Sequence, residues 1–564
     1  MFYHLWLLAS FFFLGQELVA NETANESKVE KDLNQGKEWE GWYQGTVADG
    51  FQAAKASKKP ILLYWGARWC PPCNELRENV LTRTEFKEFL PLVTAIYLDG
   101  DSDEAQIWGE KLKASGYPTL LFLNSEGREL LRFATYISLE EFRSAFRAAM
   151  QSQQTMEELI VATSSTVAGT AVKKAAPTEQ QKVNLDTWRM LAYSSDDGSG
   201  ELSLSALQQR MALVDRFPEE LAKERSMFTA GLLTRISSID YEKDPWKSQQ
   251  AVLREWAKAK MDLLFINPEA VAGARGTLLY QTKEIFSFLN HAPEDLDYHR
   301  LKKQWLAAAD LIDKNETYSV DTRLWSRYPW IIFERLEGAK KEALASTKNS
   351  GNKKNESKPE DKKKVAEAPL SPKVKELVLS AVERADREAV SSQERTAVIS
   401  GAASLLMELN EFPRARKLLE TEAGKSATPY YYYSGLASLE EKQGNKAEAL
   451  KWSAKAQDTA DGQATKIQWT SSHFMLQSRL EATEIDLNKT LVQYYELAQS
   501  LPDGFAGRNA SRAKRIADEL RKKLPLPKML ATTVAEFEQK CTTVKNPESC
   551  KAHFSAIKSE PAKI

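Results

Sequence analysis

Cysteine is scarce, with four in 564 residues, at 70, 73, 541 and 550. So few cannot staple a chain of this size, so its folded parts must rest on hydrophobic cores, and the two close pairs stand out. Histidine is equally thin: the five lie scattered at 4, 291, 299, 473 and 553, so no second Cys or His pair completes a zinc site and no metal is expected. An excess of one charge is missing too, since 77 Lys and Arg face 78 Asp and Glu. That removes the field a general nucleic-acid or polybasic membrane binder uses, and no nucleic-acid partner is expected. A membrane-spanning helix needs about 20 apolar residues, and no run reaches that length. The longest, Leu5 to Leu14 broken only by Ser10, precedes Leu18-Val19-Ala20. Residues 1–20 therefore read as a secretory signal, which places the protein in the periplasm or outside the cell. No Lys or Arg precedes the apolar core, which leaves an uncleaved anchor as the alternative.

What is present begins as a polar segment, 21–36, followed by a compact pattern over 37–153. Phe51 and Ala54 suit a short helix ended by Lys58-Lys59-Pro60. Ile61 to Trp65 is a continuous apolar run of strand length, as expected for a strand buried on both faces. Trp69-Cys70-Pro71-Pro72-Cys73 follows at once. Pro71 fits a first helical turn, where its missing N–H costs nothing, and Leu76 and Val80 continue the stripe. Thr82 and Glu85 form a capping-box pattern, Leu92 to Leu98 reads as a second strand, and 103–114 as a helix. Gly116-Tyr117-Pro118-Thr119 opens a hairpin of Leu120–Leu123 and Glu129–Phe133, and Ser138 and Glu141 cap a last helix to Met150. The order αβαβαββα predicts one α/β domain with helices on both sheet faces.

A cysteine at a helix N-terminus is placed for thiolate chemistry, because free backbone N–H groups and the helix dipole favour its charge. Cys70 holds that place, and Cys73, one turn on, can attack a mixed disulfide formed through Cys70. Cys70 is the expected nucleophile and Cys73 the resolving thiol. The pairing of Trp69-Cys70-Pro71-Pro72-Cys73 after a buried strand with Tyr117-Pro118-Thr119 before the hairpin resembles a thioredoxin-fold domain of the periplasmic thiol:disulfide interchange type. The resemblance implies a cis Pro118 beside the cysteines, Trp69 shielding one side, and Tyr117 with the backbone near Pro118 binding an extended substrate strand. It also exposes departures. Tyr64 stands where thioredoxins carry a buried Asp that helps deprotonate the resolving thiol, and Asn74 replaces the usual Lys. Arg68 adds a cation expected to lower the Cys70 pKa. Pro71 and Pro72 tune the potential without fixing its value. The redox direction stays open, and no cofactor beyond the Cys70–Cys73 disulfide is called for. Half a zinc site, or a permanent disulfide in a redox-silent fold, are the competing accounts of the motif.

After a linker at 154–180, residues 181–345 follow helical periodicity, as in Leu253, Trp256, Ala257, Met261 and Leu264. Residues 346–368 are Lys-rich and predicted to be a disordered tether. From 369 to 525 a second helical block shows a 34-residue spacing that pairs Gly401 with Gly435, Ala403 with Ala437, Leu405 with Leu439 and Ala415 with Ala449. This resembles tetratricopeptide repeats, although Glu440 and Ser453 fall where bulky residues belong. The fold class is thus an N-terminal α/β thioredoxin fold followed by an all-α helical-repeat region. Such arrays hold peptides or proteins, which implies recruitment of a client or partner. Tyr430 to Tyr433 either line that groove or pack in a core. In the final segment, 526–564, Cys541 and Cys550 flank a short loop and are expected to form a structural disulfide, a redox relay to Cys70 and Cys73 being the alternative. The expected partners are proteins with thiols or disulfides and an electron donor. A binding scaffold and a dithiol oxidase remain beside the reductase or isomerase reading.

Overall fold

The computed structural model describes residues 39–558, apart from 68–69, 101, 115, 134–136, 153, 156–157, 161–178, 194–201, 291–294 and 350–368. The signal segment 1–20, the polar segment 21–36, Arg68, Trp69 and most of the Lys-rich segment lie outside the described residues.

Helix α1 (Val47–Ser57) starts on Thr46, whose hydroxyl accepts from the Asp49 N–H, and ends on Lys58 in the left-handed region. It leads into β1 (Ile61–Gly66), in which every residue is buried. After α2 (Pro71–Leu76) and α3 (Thr84–Lys87) come β2 (Thr94–Asp99), α4 (Asp103–Lys111), β3 (Thr119–Leu123), β4 (Glu129–Phe133) and α5 (Leu139–Ser152). The strands form one sheet in the order β2-β1-β3-β4. β1 runs parallel to β2, with Ile61 opposite Thr94, and antiparallel to β3, and β4 is antiparallel to β3. Strand alternation sends Leu62 and Tyr64 to the face packed by Phe142 and Phe146, and Ile61, Leu63 and Trp65 to the face shared with Ile96 and Leu98. Both faces are covered, which is why β1 reads as unbroken apolar sequence.

Two local expectations differ. β2 begins at Thr94 rather than Leu92, because Leu90–Leu92 form a 3₁₀ turn around Pro91, which has no N–H to give a ladder. The Thr82–Glu85 capping box does not form. The helix from Pro71 continues as a π turn over Arg77–Leu81, so Thr82 ends it and donates its hydroxyl back to the Arg77 and Glu78 carbonyls. The Ser138–Glu141 box is present in both directions: the Glu141 N–H donates to the Ser138 hydroxyl at 3.2 Å and the Ser138 N–H to the Glu141 carboxylate at 2.9 Å.

The rest of the described chain is helical. α6 (Glu179–Tyr193), α7 (Leu204–Leu213), α8 (Ala222–Ser237), α9 (Gln250–Lys260), α10 (Pro268–Tyr280), α11 (Thr282–Leu289) and α12 (Leu296–Lys314) pack on one another. α13 (Val320–Trp325) and α14 (Tyr328–Asn349) follow. Their core is continuous with one face of the sheet, a single buried cluster from Trp42 through Phe133 and Tyr193 to Phe333. Leu159, within the segment read as a linker, is fully buried in it. A second cluster joins Leu324 and Ile331 to α15 (Pro372–Glu388), α16 (Ser392–Glu408) and α17 (Phe412–Ala423).

Between the two clusters sits Asp313. It receives hydrogen bonds from the guanidinium groups of Arg327 and Arg384, while Arg327 also binds Asp310.

α18 (Tyr430–Gln443), α19 (Lys446–Thr459) and α20 (Gln463–Arg479) continue the succession, each packed on the next. Ala415 and Ala449, one spacing apart, are fully buried, and a Cβ on Gly435 would stand 2.9 Å from Leu419 Cδ2, so close helix approach accounts for the small residues. Glu440 is buried because Arg416 and Asn445 hydrogen-bond its carboxylate. α21 (Glu484–Ser500), α22 (Ala510–Lys522), α23 (Lys528–Gln539) and α24 (Pro547–Lys558) enclose a third core.

Candidate functional site

The end of β1 and the start of α2 place the thiols. Cys70 is the N-cap of α2, in extended backbone at φ −79° and ψ 118°, with Pro71 in the first turn. Its N–H donates to the Ala67 carbonyl at 3.2 Å, and its own carbonyl accepts from the Asn74 N–H at 3.0 Å. Cys73 lies one turn on and is fully buried, Pro72 is half-buried, and both cysteines are free thiols. The Tyr117–Pro118 bond is cis and Pro118 is buried just before β3. Tyr117 stacks obliquely on Trp65 at 4.4 Å, and its hydroxyl donates to the Gly100 carbonyl at 2.8 Å.

The thiols do not face solvent. Cys70 is 4% exposed, and it shares a cluster with Ala67, Cys73, Tyr430 of α18, Ala456 and Ala460 of α19 and its end, and Trp469 of α20. Tyr117 and Tyr431 border the same cluster, and α16 packs along α2. Arg508, in the turn before α22, hydrogen-bonds the Tyr117 hydroxyl with its guanidinium 5.3 Å from the ring centre, and is itself held by buried Asp503 at 3.1 Å. The helical region therefore covers the face on which the resemblance would place a substrate.

This cover reverses the expected effect on Cys70. Burial, then the neighbouring Cys73, push the Cys70 thiol well above its ordinary range, so the closed arrangement holds a protonated sulfur. Tyr64 is also kept protonated: burial, then Cys73 and Tyr97, push its phenol up. Its ring lies over Gly66, where a Cβ would fall 2.3 Å from the hydroxyl oxygen. A phenol in that state can donate a proton but not accept one, so it does not reproduce the base that an Asp would supply.

Two residues past Cys73, Glu75 points to a cavity of about 260 Å³ lined also by Glu141, Arg275, Tyr280 and Asp321. Burial pushes both the Glu75 and Asp321 carboxyls up, and the charge of Glu75 adds to the effect on Asp321. A carboxyl raised on folding lends stability below its unfolded pKa and loses it as pH rises. Asp321→Asn is accordingly expected to raise the urea midpoint at pH 7, with the gain shrinking as pH falls toward the ordinary carboxylate range.

Of the residues singled out from sequence, Cys70, Cys73, Pro72, Tyr117 and Pro118 converge here. For Pro71 the backbone position is described. Cys541 and Cys550 are joined by a disulfide inside the third core, with Phe537 and Phe554. Tyr430, Ala456, Ala460 and Trp469 came with no signal that they pack with Cys70, nor Arg508 that it meets Tyr117. The tyrosine run hinted at a groove, but nothing in its spacing said that the groove receives residues some 360 positions earlier.

Residues 41–125 match the family model described as thioredoxin-like. The chain is 29% identical over 106 residues to a disulfide bond reductase, DsbH, of Chlamydia pneumoniae, covering 17% of this chain and 61% of that protein. It is 26% identical over 102 residues to the thiol:disulfide interchange protein DsbD of Pectobacterium atrosepticum, covering 17% of this chain and 18% of the other. The chain thus spans less than two thirds of either relative's length. The N-terminal unit is a thioredoxin-like domain with sequence similarity to thiol–disulfide oxidoreductases, and the described remainder is helical.

Proposed function

We propose that the protein is an exported thiol–disulfide oxidoreductase that reduces or isomerises disulfides of other proteins. Cys70 attacks, Cys73 resolves, and the helical region, read as tetratricopeptide-like, governs which client reaches them. The observation that carries this is Cys70 at the N-cap of a helix that follows a buried strand, with Cys73 one turn on. A structural disulfide would need no place at a helix N-terminus.

In the exchange, Cys70 as thiolate attacks a client disulfide, one client sulfur leaves as thiolate and takes a proton, and Cys73 then displaces the second. Two electrons pass to the client and a Cys70–Cys73 disulfide remains for an external dithiol donor to reduce. Removing Cys73 stops the reaction halfway. Cys73→Ala is expected to accumulate a covalent client adduct through Cys70 that dithiothreitol releases, seen by non-reducing electrophoresis of envelope extracts. Absence of any adduct in both Cys73→Ala and a cover-loosened Cys73→Ala protein would overturn the proposal.

The burial of Cys70 supports a second reading, a scaffold whose thioredoxin-like unit is redox-silent. It expects full cellular function from Cys70→Ser, where the exchange reading expects none.

A further inference from the structure

The helices that cover the thiols also frame a cavity. The rings of Tyr431 and Trp469 meet at 5.2 Å beside the cysteines. Beyond them α18, α19 and α20 enclose a cavity of about 200 Å³ whose walls include Ser434, Ser438, Ser453 and Ser472. At 1.5 Å of rise per residue the first of these serines lie about 5 Å past the ring contact, and the Arg479–Glu441 ion pair closes the far end about 15 Å past it. Ser453 is the small residue that broke the 34-residue pattern. A bulky side chain there would fill the space.

The remaining wall is cationic. Arg508, Arg512 and Arg515 follow at i, i+4 and i+7, so they share one face running from Tyr117 to the cavity. Arg508 is neutralised by Asp503, but the other two are not. Arg512 donates to the Arg508 carbonyl at 3.1 Å, the Asn509 side-chain oxygen at 3.2 Å and the Gln468 side-chain oxygen at 3.0 Å, all neutral acceptors. A guanidinium has five N–H donors, so some remain for a guest. Arg515, which lines the same cavity, has no ion pair among the described residues. The one carboxylate in the lining, Glu441, is engaged by Arg479 at 3.0 Å through both oxygens. Burial and the charges of Arg508 and Arg515 all act against the charged form of Arg512. A carboxylate bound there would relieve them and gain charge-assisted hydrogen bonds.

We infer that this cavity binds the carboxylate of a short acidic peptide whose disulfide reaches Cys70, which makes Arg512 and Arg515 determinants of substrate choice. The inference rests on the exchange reading for its redox step, but the binding step stands apart from it. The chemistry is unchanged: Cys70 forms a bond to one substrate sulfur, the other leaves as a thiol, and Cys73 releases the first.

The test uses the full chain, reduced, at low salt. S-methylglutathione, which carries the carboxylates but no exchangeable sulfur, is expected to bind by calorimetry, and Arg512→Gln/Arg515→Gln to weaken it about tenfold or more. In single-turnover exchange, oxidised glutathione is expected to outpace dicationic cystamine about tenfold. The double variant should erase that preference and leave neutral hydroxyethyl disulfide within about twofold. No binding of S-methylglutathione, or binding unchanged in the double variant, overturns the inference. Binding lost in the variant, with no exchange of any disulfide by either the parent or a cover-loosened protein, would sink the exchange reading and leave the anion site standing. A gain for the neutral disulfide would assign the arginines to holding the cover, and an equal loss would assign them to shaping the site without regard to charge; either overturns the inference.

Discussion

Ala456→Arg is expected to speed alkylation of Cys70 by iodoacetamide about 10- to 100-fold, measured at pH 8 in a Cys73→Ala background so that Cys70 is the one thiol outside the disulfide. Ala456 is 1% exposed and packs in the cluster that holds Cys70, so a long cation there has no room while the cover is shut. Overpacking costs about 1–3 kcal/mol. Opening the cover relieves that strain, and each 1.4 kcal/mol shifts the closed-to-open ratio about tenfold. The pH profile should change as well. In the parent, burial raises the Cys70 thiol, so alkylation keeps climbing past pH 9, whereas the opened variant levels off near the ordinary thiol range. Equal rates in parent and variant would mean that the reagent reaches Cys70 with the helices in place.

Asp313→Ala is expected to cost about 3–5 kcal/mol, read as a lowered urea midpoint followed by far-ultraviolet circular dichroism. Asp313 on α12 is buried, as is Arg327, and Arg384 approaches from α15. Removing the carboxylate leaves Arg327, buried, with Asp310 alone, and Arg384, 27% exposed, without this partner. The site joins the helices of the first core to those of the second, so the loss should appear as an earlier transition of both. Asp313→Asn, which keeps the volume and some acceptors, should cost less. A change below about 1 kcal/mol would place the pair among those that solvent already satisfies.

The sheet was legible from the sequence because its signals are local. A five-residue apolar run, a Cys-Pro-Pro-Cys segment at a helix start and a Ser138–Glu141 box each carry their own physics. The misreadings were local too: Thr82 looked like a cap because the π turn over Arg77–Leu81, which makes it an ending, has no composition of its own. The site was legible by half. Periodicity reports which face of a helix is apolar but not what covers it, so Tyr430 to Tyr433 stayed open between groove and core, Trp469 carried no signal, and the cover over Cys70 left no trace. Ser453 was visible only as an irregularity in a repeat, and its meaning depends on a cavity formed by other helices.

The buried cluster that runs from Trp42 to Phe333 carries a practical consequence for anyone who would borrow the thioredoxin-like domain. Cut after residue 153, the fragment would present Phe133, Ile137 and Ala148 to water where Trp188, Met190 and Tyr193 now lie in the same core. The thioredoxin-like domain is therefore not a cassette. It can be transplanted only with the helices that complete its underside, and those helices lead on through the chain to the ones that shut its door.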